Sequence, residues 1–202
     1  MSWTAADVET AAREIYQRAQ LDPASLPGMS KLADALQIGI FEAPRRGIWG
    51  QGVKVIVKGR KSIWLAPRLP EVHRAHAIAH EIVEHEFPRQ EHDPEGFCDA
   101  VGAAVLAPRG AFASAARYVD EDLAKLAHAF RTTESCAALR LGEVLGVPCV
   151  LVSRVRVRAR GDAFEWPHEA ELRQLARSRR EVPGLSRVVL SDDKTRVFLR
   201  AA

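Results

Sequence analysis

The segment His73–Phe87, HRAHAIAHEIVEHEF, decides the fold prediction because it combines helical spacing with a dense cluster of metal-ligating side chains. No glycine or proline interrupts it and Pro88 follows directly, so the whole stretch is compatible with one helix. His80 and Glu81 open a pattern of the form HExxH, the spacing at which a helix presents two histidines to one metal ion. Glu84 stands where the second histidine belongs. The question is whether HExxE still builds a metal site.

Helical geometry places most of these candidate ligands on one stripe. Successive residues of an α-helix turn by about 100°, so His76 and Glu84 lie about 40° to either side of His80. Glu81 lies about 100° away, beside the stripe, where a carboxylate can activate water at the metal. His85 lies about 140° from His80 and could reach the same ion only if the helix bulged.

A second predicted helix, PEGFCDAVGAAVLA, supplies a third ligand and its support. Glu95 lies fifteen residues after His80, and Asp99 follows Glu95 by about one helical turn. Glu95 can face the ion, while Asp99 can accept a hydrogen bond from a ligating imidazole and hold its orientation. Gly102 and the two alanines after it leave this helix slim enough to pack closely against a neighbour.

These two helices resemble the core of the ImmA/IrrE metallopeptidases, a gluzincin-like family. In that family a helix with the pattern A-H-E-x-x-H is followed by a helix with the pattern E-x-x-A-[ND]-x-F-A-x-x-L-L-x-P. The positions that match include Ala79, His80, Glu81, Glu95, Asp99, Leu106 and Pro108. The resemblance spans residues 5–147, and it departs from the pattern at Glu84, at Cys98 in place of alanine and at Val101 in place of phenylalanine.

The resemblance implies an α+β fold, with a mostly helical metallopeptidase-like domain that contains a small β-sheet over residues 1–147. A small basic α/β appendage would follow over residues 148–202. It also implies a zinc-dependent intracellular endopeptidase that acts on a helix-turn-helix transcriptional repressor and so releases stress, phage or mobile-element genes. The residues assigned to the site are Glu81 as the catalytic base, His80, Glu84 and Glu95 as metal ligands, and Asp99 as the residue that orients the imidazole.

Glu84 changes the metal chemistry that we expect. One imidazole and two carboxylates neutralise a +2 ion, whereas two imidazoles and one carboxylate leave one positive charge, so the ion should polarise a peptide carbonyl less. Carboxylate ligands also favour harder ions, which makes Mn²⁺ an alternative to Zn²⁺. Three other outcomes stay open. His76 could pair with His80, His85 could enter through a bulge, or the site could be empty in a catalytically inactive relative that regulates a repressor or another partner by binding.

The remaining elements follow from local patterns. Thr4 with Asp7 predicts a capped first helix over 4–20, and VKVIV with SIWLA predicts a hairpin. Further helices are predicted over 109–118 and 121–130 and from Thr132 or Thr133 to Gly146. After Pro148, VLVSRVRVRAR predicts one half-buried strand, residues 168–180 a helix, and SRVVL with TRVFLR a terminal hairpin.

Composition and charge narrow the class of protein. A chain of 202 residues, 47% hydrophobic and with a net charge of +3, is typical of a globular domain. Without a long apolar run or a signal-like N-terminus, we expect a cytoplasmic protein without a membrane partner. The three cysteines should be reduced and buried. The last two predicted helices before Gly146 have the shape of a helix-turn-helix. Only Arg131 and Arg140 are basic near the second of them, which is few for contacts with DNA phosphates, so direct DNA binding is not expected.

Overall fold

The computed structural model describes residues 3–44, 51–88, 93–146, 149–152, 157–160, 170, 172–174, 185–189 and 197–201, the strands after residue 156 as backbone only. The chain divides into two compact units, Met1–Ala111 with Phe130–Thr132, and Phe112–Ala129 with Thr133–Ala202. The prediction of a mostly helical α+β fold is confirmed. The predicted division at residues 147 and 148 reflects the extent of the resemblance, falls inside the second unit and stays a prediction.

The first unit contains the histidine segment. Its elements are helix α1 (Ala5–Ala19), a single 3₁₀ turn (Pro23–Ser25), α2 (Met29–Ala35), strands β1 (Gly39–Glu42), β2 (Gly52–Val57) and β3 (Arg60–Leu65), and helices α3 (Glu71–Glu86) and α4 (Pro94–Leu106). Helix α5 (Arg109–Tyr118) begins in this unit. The predicted first helix, hairpin and two site helices are therefore confirmed.

Helix α1 begins with the predicted capping box. The Thr4 Oγ1 atom accepts a hydrogen bond from the Asp7 backbone N–H at 3.3 Å, and the Thr4 N–H donates to Asp7 Oδ2 at 2.7 Å. These bonds satisfy two backbone donors that would otherwise lack a helical partner. They fix the start of the helix whose apolar face, which includes Ile15, joins the core of the unit.

Thr4→Ala should lower the free energy of unfolding by about 1 kcal/mol, because the N3 backbone donor loses its acceptor. Denaturant unfolding of the full chain measures the change. Thr4→Ser is the matched control, since it keeps the hydroxyl and should unfold within a few tenths of a kcal/mol of the parent. Equal losses in both variants would show that the Thr4 methyl group, and not the cap, stabilises the helix.

The three-stranded sheet has the order β1-β3-β2, with β1 parallel and β2 antiparallel to β3. Lys58 and Gly59 form the two-residue turn between β2 and β3, and both have positive φ angles, 50° and 77°, as a type I′ turn requires. Lys54 lies opposite Ile63 in this register. Because Ile63 is fully buried and cross-strand partners share a face, Lys54 lies on the face that looks into the unit.

Helices α3 and α4 pack closely at the histidine. A Cβ atom added at Gly102 would lie 3.3 Å from the His80 backbone nitrogen, so only a hydrogen fits there comfortably. The prediction that the small residues of α4 permit close packing is confirmed at this point. Helix α1 is tied to α4 where the Tyr16 hydroxyl donates to the Val105 carbonyl at 2.7 Å. Burial raises the pKa of Tyr16.

The second unit contains the rest of α5, then α6 (Leu123–Ala129), α7 (Glu134–Leu145) and a four-stranded antiparallel sheet of order β5-β4-β7-β6. Its strands are β4 (Cys149–Val152), β5 (Val157–Arg160), β6 (Leu185–Val189) and β7 (Val197–Ala201). Thr133 caps α7 by accepting from the Cys136 backbone N–H at 3.2 Å, and Gly146 ends the helix with a φ of 68°, both as predicted. The terminal hairpin is also confirmed.

The single strand predicted for VLVSRVRVRAR is wrong. Strands β4 and β5 are separate and pair antiparallel with each other. All four residues of β4 are buried, and a strand buried on both faces has no alternating pattern to distinguish it. Of the helix predicted over 168–180, residues 170 and 172–174 are helical and the others lie outside the described residues.

Candidate metal site

His80 is held in one orientation by α4. Its Nδ1 atom lies 3.0 Å from Asp99 Oδ1, and since a carboxylate accepts, Nδ1 is the nitrogen that donates. When the imidazole is neutral, this contact keeps the proton on Nδ1 and leaves a lone pair on Nε2. The neutral imidazole with such a lone pair is the form that binds a metal. Nε2 lies 3.6 Å from Glu95 Oε2. The predicted role of Asp99 therefore has the contact that it requires.

The charges around His80 favour a cation. Burial by itself would lower the pKa of His80, but the hydrogen bond and the negative charge of Asp99 outweigh burial and raise it. The carboxylates of Glu81 and Glu95 act in the same direction. The same negative potential that holds a proton on the imidazole would attract a metal ion when the imidazole is neutral.

Glu81 lies between α3 and strand β2. Its side chain is 6% exposed, and the backbone N–H of Lys54 donates to its carboxyl group. Gly52 makes room for it, since a Cβ atom there would lie 3.4 Å from both Cγ and Oε1 of Glu81. When it is protonated, the Glu81 carboxyl group can donate a hydrogen bond to the neighbouring Glu84 carboxylate. Burial and the neighbouring Glu84 carboxylate raise the pKa of Glu81 to about 7.

Glu84, at the position of the missing histidine, forms an ion pair with Lys54. The Lys54 Nζ atom lies 2.7 Å from Glu84 Oε1 and donates to the Glu84 backbone carbonyl at 3.3 Å. Burial would raise the pKa of Glu84, but the hydrogen bond and positive charge of Lys54 lower it below the usual value. Sequence reasoning missed Lys54. A lysine on the inward-facing alternation of VKVIV was the signal that could have indicated it.

His80, Glu81 and Glu84 form a group that could hold a metal ion. Each offers one ligand atom, and these atoms lie within 4.8 Å of one another. Glu95, the predicted third ligand, lies outside this group, with its side chain 84% exposed and its Oε2 near His80 Nε2. The donor set fits a divalent cation, because it combines an oriented imidazole with the carboxylate oxygens of two adjacent glutamates.

The two alternative histidines differ in position. His85 is buried, and its Nε2 donates to the Ser62 carbonyl at 2.9 Å, so it faces β3 rather than the group around His80. Since α3 is a continuous α-helix over Glu71–Glu86, the bulge that His85 would need is not formed, and that alternative is wrong. His76 does not belong to the group of His80, Glu81 and Glu84 in the described part of the chain.

Cys98 lies at the position of the usual alanine on α4, near the site. Burial and the surrounding carboxylates, Glu84 first among them, raise the pKa of the Cys98 thiol to about 12. A thiol that stays protonated is a poor metal ligand and a poor nucleophile. All three cysteines are buried and free of disulfides, as predicted.

None of the helices in the described part of the chain has the length and apolar character needed to cross a bilayer.

One comparison with known proteins supports the fold. No family model matches the chain, and neither does any curated protein. The structure is similar to that of a Mycobacterium tuberculosis transcriptional regulator, with a TM-score of 0.62 and 14% sequence identity over 96% of this chain and 87% of that chain. At this identity the similarity shows a shared fold, that of a mostly helical α+β protein.

Proposed function

We propose that this chain is an ImmA/IrrE-like metallopeptidase that cleaves a helix-turn-helix repressor inside the cell. The observation that supports the proposal best is the contact between His80 and Asp99 on a second helix, with Glu81 and Glu84 beside the same imidazole. Histidines that are merely solvated on a surface helix require no carboxylate to fix one tautomer. A histidine that binds a metal does require such a partner, which holds its ring orientation and keeps the other nitrogen available to the ion.

The ligands in this proposal are His80, Glu84 and Glu95. A divalent ion held by them would polarise a peptide carbonyl and acidify water. Glu81 would take a proton from the attacking water and deliver it to the leaving amine. In the metal-free protein, burial and the Glu84 carboxylate raise the pKa of Glu81 to about 7. A divalent ion beside Glu81 would lower that pKa and favour the ionised form, which is the form that accepts a proton. Zn²⁺ is the ion that the pattern favours, and Mn²⁺ is the alternative that two carboxylates make competitive.

A second candidate is a catalytically inactive relative that regulates a repressor by binding it. The ion pair between Lys54 and Glu84 favours it, because a carboxylate neutralised by an ammonium group has less need of a metal. A regulatory role for this chain would agree with that of its structural neighbour, which is described as a transcriptional regulator. The two candidates share a partner and differ in whether a peptide bond is broken.

Metal content separates them first. Protein purified without added metal or chelator should contain about one equivalent of Zn²⁺ or Mn²⁺ by mass spectrometry, and His80→Ala should contain none. The metal-loaded chain should then cleave a helix-turn-helix repressor encoded beside it, and a chelator should stop the cleavage. Absence of metal from both proteins, even after soaking in Zn²⁺, would contradict the peptidase and leave the binding function as the account of this fold.

A further inference from the structure

The Lys54 ammonium group lies beside the Glu84 carboxylate and gives it a positive partner from the protein's own chain. Strand β2 directs its side chain toward α3, and its ammonium group contacts Glu84 twice, at Oε1 and at the backbone carbonyl. Glu84 is also one of the three side chains whose ligand atoms lie within 4.8 Å of one another. The same carboxylate therefore serves the lysine and the candidate metal site.

The neighbouring strand provides an internal comparison. Lys61 on β3 forms an ion pair of the same length, 2.7 Å, with Glu86 on the same helix. Arg18 of α1 also pairs with Glu86 at 2.8 Å, so that carboxylate ties three elements of the unit together. Glu86 does not belong to the group of possible metal ligands among the described residues. Lys61 therefore pairs with a carboxylate outside this group, whereas Lys54 pairs with one of the possible metal ligands.

We propose that, in the metal-free protein, the Lys54 ammonium group occupies the place beside the Glu84 carboxylate that a metal ion would take. A divalent ion must displace this ammonium group in order to bind. The inference rests on the metal site of the proposed function. A +2 ion coordinated by Glu84 would lie close to the ammonium group, and like charges repel strongly at such distances when partly shielded from water. Lys54 therefore weakens metal binding in two ways: it competes for the carboxylate, and it repels the ion.

The pairing also explains how the chain tolerates glutamate at this position. Without a metal, the Glu84 carboxylate lies beside the buried carboxyl group of Glu81, and two neighbouring negative charges, one of them buried, cost stability. The Lys54 ammonium neutralises one of them. The site is consequently preformed without metal, and the affinity for metal is set by the exchange of one cation for another.

The test compares metal affinities of full-length variants. Lys54→Met keeps an unbranched side chain of similar length and removes the charge. After removal of metal with a chelator, calorimetric titration with Zn²⁺ and with Mn²⁺ should give a Kd for Lys54→Met that is roughly tenfold or more below that of the parent, one factor of ten being a modest charge effect. Lys54→Arg keeps the charge and should bind like the parent.

Lys61→Met is the matched control, because it removes the same charge from the same sheet but frees no carboxylate of the site. It should leave the Kd within about twofold of the parent, because the carboxylate that Lys61 contacts is not one of the three possible metal ligands and salt screens charges that do not touch the ion. Circular dichroism verifies folding, and Lys54→Gln replaces Lys54→Met if the latter does not fold. His80→Ala added to Lys54→Met should abolish the binding gained.

The outcomes distinguish this inference from the proposed function. Equal affinities of the parent and Lys54→Met would overturn the role of Lys54 while leaving a metallopeptidase intact. Binding by Lys54→Met alone would support the role of Lys54 and would count against a metal-dependent activity of the natural chain. If neither protein binds either ion, both ideas are overturned, since removal of the lysine should have opened the site.

Discussion

Replacing Glu81 by glutamine is expected to abolish repressor cleavage by the proposed peptidase. Above pH 7 the same change is expected to make the protein more stable. The loss of cleavage follows because a glutamine amide cannot accept a proton from water. Binding of the repressor should persist, because glutamine has nearly the same shape as the protonated glutamic acid. Cleavage by Glu81→Gln at the rate of the parent would contradict the role of Glu81 as the catalytic base.

The gain in stability follows from the pKa of Glu81. Folding raises this pKa from a usual value of 4.5 to about 7, so the folded chain holds a proton that the unfolded chain releases. Glu81 has no effect on stability below pH 4.5, where both states are protonated, and its cost grows from pH 4.5 to pH 7. Above pH 7 the cost is constant at about 3 kcal/mol at most, and glutamine, which never ionises, avoids it.

Denaturant unfolding of chelator-treated protein between pH 5 and pH 8.5 measures this gain. The difference between Glu81→Gln and the parent should be small at the acid end and largest above pH 7. Glu84→Gln is the control with the opposite sign, because Lys54 lowers the pKa of Glu84 and the ion pair stabilises the fold only while Glu84 is ionised. That variant should be less stable than the parent at neutral pH. Parallel stability profiles for Glu81→Gln and the parent would show that Glu81 is not desolvated.

Gly102→Val is expected to destabilise the fold and to disrupt the site at the same time. Even a single Cβ atom would lie 3.3 Å from the backbone nitrogen and 3.5 Å from the Cα of His80, and backbone atoms cannot rotate away. The two branches of valine would force α3 and α4 apart, at a cost of about 3 kcal/mol for overpacking. Asp99 is on the helix that must move, so its contact with the His80 imidazole should lengthen or break.

Thermal unfolding and metal titration together measure this effect. Gly110→Val is the matched control, since a Cβ atom at Gly110 meets no atom within 4 Å. The control should unfold within about 1 kcal/mol of the parent and bind metal equally well. A Gly102→Val protein as stable as the parent would mean that the helices can separate without cost, and the close packing at His80 would then have no structural importance.

Local spacing was enough to predict α3, α4, the capped start of α1 and the β2–β3 hairpin, because each depends on neighbours a few residues away in the sequence. The same spacing placed His80, Glu81 and Glu84 together, since one helical turn brings residues four apart onto one face. The contact between Asp99 and His80 was predicted from the spacing of Glu95 and Asp99 on α4 and also agrees with the family pattern that the two helices resemble. Periodicity failed at β4, where burial on both faces removes the alternating signal.

Only the tertiary structure decided which charges surround the site. Lys54 is thirty residues from Glu84 in sequence, and the β2–β3 register turns its side chain toward α3. His85, adjacent to Glu84, is directed instead at the Ser62 carbonyl by the same sheet. The helix by itself determined which residues share a face. The packing of the helix against a strand determined that Lys54 neutralises Glu84, the glutamate that stands in the place of a histidine. Strand register brings together side chains that are distant in sequence, which spacing along the chain cannot do.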